Sequence, residues 1–125
     1  MPPSGEGIVR FHTNQGSVQF YCDVAETLEE KQQGLRGVAE LPLKQGMLFV
    51  YDSMHPLVFT MTGMSIPLDI IFINENLTVH HIVEAEIGEE FISSNGAAQY
   101  VIEINQGLSE EYEITLGTSV EIIFE

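Results

Sequence analysis

Ser17-Val18-Gln19-Phe20-Tyr21-Cys22-Asp23-Val24 alternates without a break. Val18, Phe20, Cys22 and Val24 fall on one side of an extended chain, with Gln19, Tyr21 and Asp23 on the other. A period of two marks a strand with one buried face. Upstream, Ile8-Val9-Arg10-Phe11 reads as a second strand, and Asn14-Gln15-Gly16 supplies turn chemistry between the two. The spacing therefore predicts a hairpin that pairs the Arg10 and Asp23 segments. Downstream, the pattern changes at Thr27. Thr27 and Glu30 form the Thr-x-x-Glu capping box of a helix start, and Glu29 and Glu30 suit the positive end of its dipole. Leu28 and Leu35 are expected to share the buried face, and Gly34 and Gly37 to end the helix near Gly37.

The rest of the chain reads as further short strands, at 46–51, 57–61, 66–73, 77–86, 98–104 and 119–125. Residues 52–56 and 88–95 read as loops, and 109–112 as one short helical turn. Many strands and one early helix predict a mostly-β fold, a β-sandwich or jelly-roll-like barrel with one short α-helix in its N-terminal half. The absence of a repeated strand–helix alternation argues against a doubly wound sheet. Residues 1–7 read as a flexible arm and 8–125 as one domain.

Composition narrows the function classes. Nineteen acidic residues face four basic ones, Arg10, Lys31, Arg36 and Lys44, giving a formal net charge of −15. Such a field repels phosphate backbones, so nucleic acid is not an expected partner. No apolar run is long enough to span a bilayer, and no direct membrane insertion is expected. The short polar start lacks the basic and apolar regions of a signal peptide. Cys22, the one cysteine, excludes an intrachain disulfide and a structural zinc finger.

The segment Thr27-Leu28-Glu29-Glu30-Lys31-Gln32-Gln33-Gly34-Leu35-Arg36 precedes Gly46-Met47-Leu48-Phe49-Val50. Phe59-Thr60-Met61, then Ile66-Pro67-Leu68-Asp69-Ile70-Ile71-Phe72-Ile73 and Ala98-Gln99-Tyr100-Val101-Ile102-Glu103-Ile104 follow in order. This series resembles the domain-of-unknown-function family numbered 192, over residues from about Ser17 to Glu125. The resemblance implies a small jelly-roll-like β-sandwich, a family without a settled function, and relatives that are often exported or lipid-anchored. One stretch departs from the family pattern. Phe59-Thr60-Met61-Thr62-Gly63-Met64 stands where a Phe-Trp-Met-Lys-Asn-Thr stretch is typical, so the indole, ammonium and amide are absent there.

Asp69 is the most unusual side chain. Both alternating faces of 66–73 are apolar, so its carboxylate is expected to be buried and paired or protonated. Its partner is expected to be loop N–H groups or Arg36, which the end of the helix can turn inward. A functional reading makes Asp69 a general acid or base. Glu103 reads in one way as half of a carboxylate pair with Asp69, and in another as a solvent-facing strand residue. Phe59, Met61, Met64 and Tyr100 are candidates to border an apolar cleft. His80 and His81 are adjacent on a strand and point to opposite faces, while His12 and His55 are isolated, so no metal site and no cofactor are expected. Cys22 reads as a small core residue, and no nucleophile elbow or phosphate loop is present. The leading expectation is a non-catalytic accessory domain that binds an unknown small ligand or protein. The alternative is a small hydrolase- or lyase-type enzyme using Asp69 and Glu103 in acid–base chemistry, and a third reading is a purely structural module. The sequence leaves the compartment open.

Overall fold

Thr13 and Gly16 close the first hairpin as its terminal pair, leaving Asn14-Gln15 as a two-residue loop. Gly16 takes a φ of +101°, a conformation that favours glycine. The loop is fastened by the Thr13 hydroxyl, which accepts from the Gln15 N–H at 3.1 Å and donates to the Gly16 carbonyl at 2.8 Å. The computed structural model describes residues 5–125. The paired strands are β1 (Gly5–Thr13) and β2 (Gly16–Ala25). Gly5, Glu6 and Gly7 pair with Val24, Asp23 and Cys22, so the strand takes in the last part of the expected arm. The rest of that arm, residues 1–4, lies outside the described residues.

Helix α1 (Leu28–Gln33) follows. Its capping box is complete: Glu30 N–H donates to the Thr27 hydroxyl at 3.1 Å, and the Glu30 carboxylate accepts from the Thr27 N–H at 3.0 Å. Gly34 ends the helix one turn earlier than the sequence suggests. Of the two leucines expected inside, Leu35 is buried but Leu28 is 71% exposed. The reason is local: Glu30 folds back onto the Glu26 and Thr27 N–H groups and is itself buried, so the short helix turns Leu28 outward.

After α1 come β3 (Gln45–Phe59), β4 (Leu68–Ile73), β5 (Val79–Ala85), β6 (Ile92–Asn105), α2 (Leu108–Glu111) and β7 (Ser119–Phe124). The seven strands form one mixed sheet in the order β5-β4-β6-β3-β2-β1-β7. Mostly-β therefore holds, with the seven strands hydrogen-bonded into one mixed sheet that does not close. The sequence reading splits β3 in two and takes the first part of β6 as loop, where both strands run on. β3 passes through 52–56 with register shifts between Val50 and His55 and between Pro56 and Val58. Proline is tolerated inside a strand at such an irregularity. β2 and β3 are parallel neighbours, with α1 in the connection between them. At one corner Thr78 bridges Ser119, which brings the two ends of the sheet order together without a ladder between β5 and β7.

Each face of the sheet carries its own core. Phe11, Phe20, Leu48, Ile71, Ile102 and Val120 belong to one, capped by Leu108 and Ile114. Met47, Phe49, Leu68, Ile70, Phe72 and Val101 belong to the other, covered by Leu35, Met61 and Met64. Every residue of β4 is buried, as its doubly apolar sequence predicts. At Gly46 the β3 backbone lies close against β6. A Cβ there would stand 2.6 Å from the Glu103 carbonyl oxygen, so only glycine fits.

Candidate functional site

The central strand β6 alternates Val101 and Glu103 toward the α1 face and Ile102 and Ile104 toward the other. Glu103 lies opposite Met47 of β3 and Ile70 of β4. It is 4% exposed, against the expectation of a solvent-facing residue, and makes no hydrogen bond among the described residues. Its carboxyl forms part of the wall of a cavity of about 400 Å³ between α1 and the sheet. That volume lies within the usual range of small-molecule sites, roughly 300–1,000 Å³.

The cavity has an aromatic and apolar body and a cationic rim. Phe49, Tyr51, Phe59 and Met64 line it together with Lys31 and Arg36. Phe49 and Phe59 meet edge to face at 5.1 Å between centroids. Gly34 also lines the cavity and takes a φ of +47°, a conformation that favours glycine where the chain leaves α1. Arg36 is held by main-chain oxygens. Its Nε donates to the Thr62 carbonyl at 3.1 Å, Nη2 to the Thr60 carbonyl at 3.4 Å and Nη1 to the Gln32 carbonyl. These bonds orient the guanidinium without neutralising it. Lys31 places Nζ 3.8 Å from the centroid of the Tyr51 ring, a cation–π contact.

The titration behaviour follows from this enclosure. Burial pushes the Glu103 carboxyl up from 4.5 to about 7, against the opposing pull of the Arg36 guanidinium. The Tyr51 phenol is pushed up to about 12 by burial and then by the Glu103 carboxylate. Burial lowers the Lys31 ammonium, with Asp52 and Glu26 acting the other way.

Asp69 belongs elsewhere. It is 0% exposed and stands opposite Ile104, so its side chain points to the face away from Glu103. The expected carboxylate pair therefore does not form, because a strand side chain one position out of phase projects through the other face. The expected Asp69–Arg36 contact is absent too: Arg36 sits across the sheet among Gln32, Thr60 and Thr62. Asp69 meets its need for partners with loop N–H groups, the other arrangement the sequence allows. Its Oδ2 accepts from the Gly107 N–H at 3.1 Å, the Ser109 N–H at 2.9 Å and the Ser109 hydroxyl at 2.6 Å. Gly107 brings no capping side chain to α2, so a carboxylate from β4 caps that turn from across the fold. Asp69 Oδ1 is buried without a hydrogen-bond partner among the described residues.

Of the four cleft candidates, Phe59 and Met64 line the cavity. Met61 is fully buried in the core beside it, and Tyr100 packs against the opposite core. Sequence reasoning missed Lys31, Phe49 and Tyr51. Phe49 and Tyr51 were findable, since they alternate with Met47 on one strand face. The Lys31 contact depends on how α1 docks, which no local pattern records. Cys22 is a buried core residue as expected, and burial pushes its thiol up to about 12. His80 bonds the Asn95 carbonyl at 2.9 Å and His81 stacks on Phe72. Among the described residues, no three His, Cys, Asp or Glu side chains converge to hold a metal, and no helix is long and apolar enough to cross a membrane.

The family described as an uncharacterized ACR, DUF192, matches residues 10–122. The chain belongs to this family. Two solved structures extend the likeness of this DUF192 domain to the whole fold. One, from Sinorhizobium meliloti 1021, is described as a candidate transcription regulator. It is 26% identical with a TM-score of 0.91, over 97% of this chain and 96% of that one. The other, a protein of unknown function from Novosphingobium aromaticivorans DSM 12444, is 32% identical with a TM-score of 0.87. That match covers 91% of this chain and 83% of that one. No curated protein matches the DUF192 domain.

Proposed function

We propose that this DUF192 domain is a non-catalytic binding module that takes a small molecule into the cavity between α1 and the sheet. One observation carries the reading: Glu103, a residue 4% exposed, has no hydrogen-bond partner among the described residues and borders a space large enough for a ligand. Buried polar groups are normally satisfied within the fold, and an unsatisfied one at a cavity marks a position for an incoming partner. The aromatic walls supply apolar contact area, and the orienting carbonyls hold Arg36 ready before any ligand arrives.

An acid–base enzyme is the second reading, favoured by a carboxyl that titrates near neutrality. Its two-carboxylate form loses force because Asp69 lies on the opposite face, bonded to Gly107 and Ser109. Tyr51, pushed to about 12, does not replace it as a base at neutral pH. The Sinorhizobium relative's description raises DNA as a partner. The charge of −15 opposes this, and two of the four cations line the cavity.

A fragment screen read by amide chemical shifts tests the binding reading. Hits are expected to perturb Phe49, Tyr51, Phe59 and Thr60 together, and Glu103→Leu to abolish polar hits while keeping the fold. A screen in which no fragment touches these residues overturns it. Oligonucleotide binding below micromolar concentration at physiological salt, by fluorescence anisotropy, overturns the exclusion of nucleic acid.

A further inference from the structure

Among the described residues, neither of the cavity's two cations makes a close ion pair, although Glu103 lies within electrostatic reach of Arg36, and Asp52 and Glu26 within reach of Lys31. Among the described residues the ion pairs are Arg10–Glu121 and His12–Glu121, at the far edge of the sheet. Lys31 meets a ring face and Arg36 meets carbonyl oxygens. The chain holds nineteen acidic side chains, yet the ion pairs among the described residues engage Arg10 and His12. Both face the same cavity, with Phe49, Tyr51, Phe59 and Met64 below them.

We infer that the ligand is a small monocarboxylate with an apolar body, and that it enters together with one proton, which Glu103 holds while the site is filled. The inference rests on the binding reading above and adds the chemical class and its control. Arg36 keeps N–H donors beyond those given to Thr62, Thr60 and Gln32, so it can bond a carboxylate without giving up its seat. The apolar body lies against the rings. A ligand ammonium in this place would stand against Lys31 and Arg36, and a neutral ligand would make no ionic bond to either.

The proton follows from the charges that face Glu103. From α1 and the turn after it come Lys31 and Arg36. From β3 come the Tyr51 phenol and apolar Met47 and Phe49, and from β4 apolar Ile70. Asp52 and Glu26 act on Lys31 from outside. Arg36 is thus the counter-charge that lets Glu103 ionise. A ligand carboxylate that takes Arg36 removes that support and adds a like charge in the same enclosed space, so Glu103 binds its proton more tightly. The neutral carboxyl then becomes a hydrogen-bond donor.

The test uses the full chain and three matched probes: 3-phenylpropionate, 3-phenylpropionamide and 3-phenylpropylamine. Calorimetry gives affinities from pH 6 to pH 9, and ¹³C carboxyl NMR follows the titration of Glu103. The carboxylate is expected to bind at pH 6, the amide at least about tenfold more weakly, and the amine not at all. Carboxylate affinity should fall about tenfold per pH unit once Glu103 is ionised in the free protein, the slope of one linked proton. Saturating carboxylate should raise the titration midpoint of Glu103. Glu103→Gln should keep the binding and lose the pH dependence, and Arg36→Gln should lose the preference for carboxylate over amide. Carboxylate affinity independent of pH, with an unmoved Glu103 midpoint, overturns the proton coupling. Preference for the amide or amine, or no carboxylate binding while other fragments perturb Tyr51 and Phe59, overturns the ligand class and leaves cavity binding standing. An empty fragment screen overturns both.

Discussion

Replacing Glu103 with Gln should make the free protein more stable at alkaline pH, an unusual result for a buried polar site. Protonated Glu and Gln are nearly isosteric and both neutral, so at pH 4.5 the two proteins should agree within about 1 kcal/mol. The wild type differs above that. Its Glu103 carboxyl titrates at about 7 when folded, against an ordinary 4.5. The folded state therefore holds a proton that the unfolded chain has released, and stability falls as pH rises through that interval. At about 1.4 kcal/mol per pH unit, the gap amounts to about 3 kcal/mol. The loss is complete above the folded value, because both states are then ionised and only the folded one holds the charge out of water. The Gln variant escapes it. Repulsion within a chain of net charge −15 also grows with pH, but it is nearly the same in both proteins and cancels in the difference. Urea unfolding at pH 4.5, 6 and 8.5 reads this difference, with equal slopes confirming that the unfolded states are comparable. A Gln variant that gains nothing between pH 4.5 and 8.5, or loses stability there, would refute the view that Glu103 is desolvated.

Four further outcomes test the frame around the cavity. Asp69→Ala orphans the Gly107 and Ser109 N–H groups, at about 1–3 kcal/mol each, so a urea-measured loss under 1 kcal/mol contradicts the cap it provides for α2. The same substitution should be additive with Arg36→Gln in a double-mutant cycle, since the two residues occupy opposite faces. Gly46→Ala forces β3 away from β6 and should cost about 1–3 kcal/mol or more, and an unchanged thermal midpoint would show that the 2.6 Å approach is relieved without effect. Thr27→Ala should cost about 1 kcal/mol and Thr27→Ser much less, and equal losses in thermal melts would deny the hydroxyl its role in the capping box.

The elements legible in the sequence are those whose signal is local. The alternation of Val18, Phe20, Cys22 and Val24 and the Thr27–Glu30 box both appear as read. Burial of Asp69 followed from apolar neighbours on both faces of its strand. The same test applies to Glu103, whose neighbours Val101, Ile102 and Ile104 are all buried. A general preference of Glu for solvent outweighed it in the sequence reading. What stayed hidden depends on distant chain. Residues 52–56 look like a loop because they hold Asp52, Ser53 and Pro56, yet β6 supplies partners that carry β3 past them through irregular pairing. The single mixed sheet likewise depends on which strands become neighbours, and residue spacing does not encode that. Arg36 was sent to the wrong carboxylate because no local pattern says which face of the sheet a helix will cover.

The place of β7 has a consequence for how the chain is made. β1 lies between β2 and β7, so one of its neighbours leaves the ribosome close behind it and the other only after β3, β4, β5 and β6. Val9 waits for Ile122 and Phe11 for Val120, and in the finished fold Glu125 N–H donates to the Glu6 carbonyl at 2.9 Å. Until residues 119–124 emerge, β1 is a bare edge able to pair with another nascent chain. Ribosome-bound chains halted before residue 119 should therefore be far more prone to self-association than chains in which residues 119–124 have emerged.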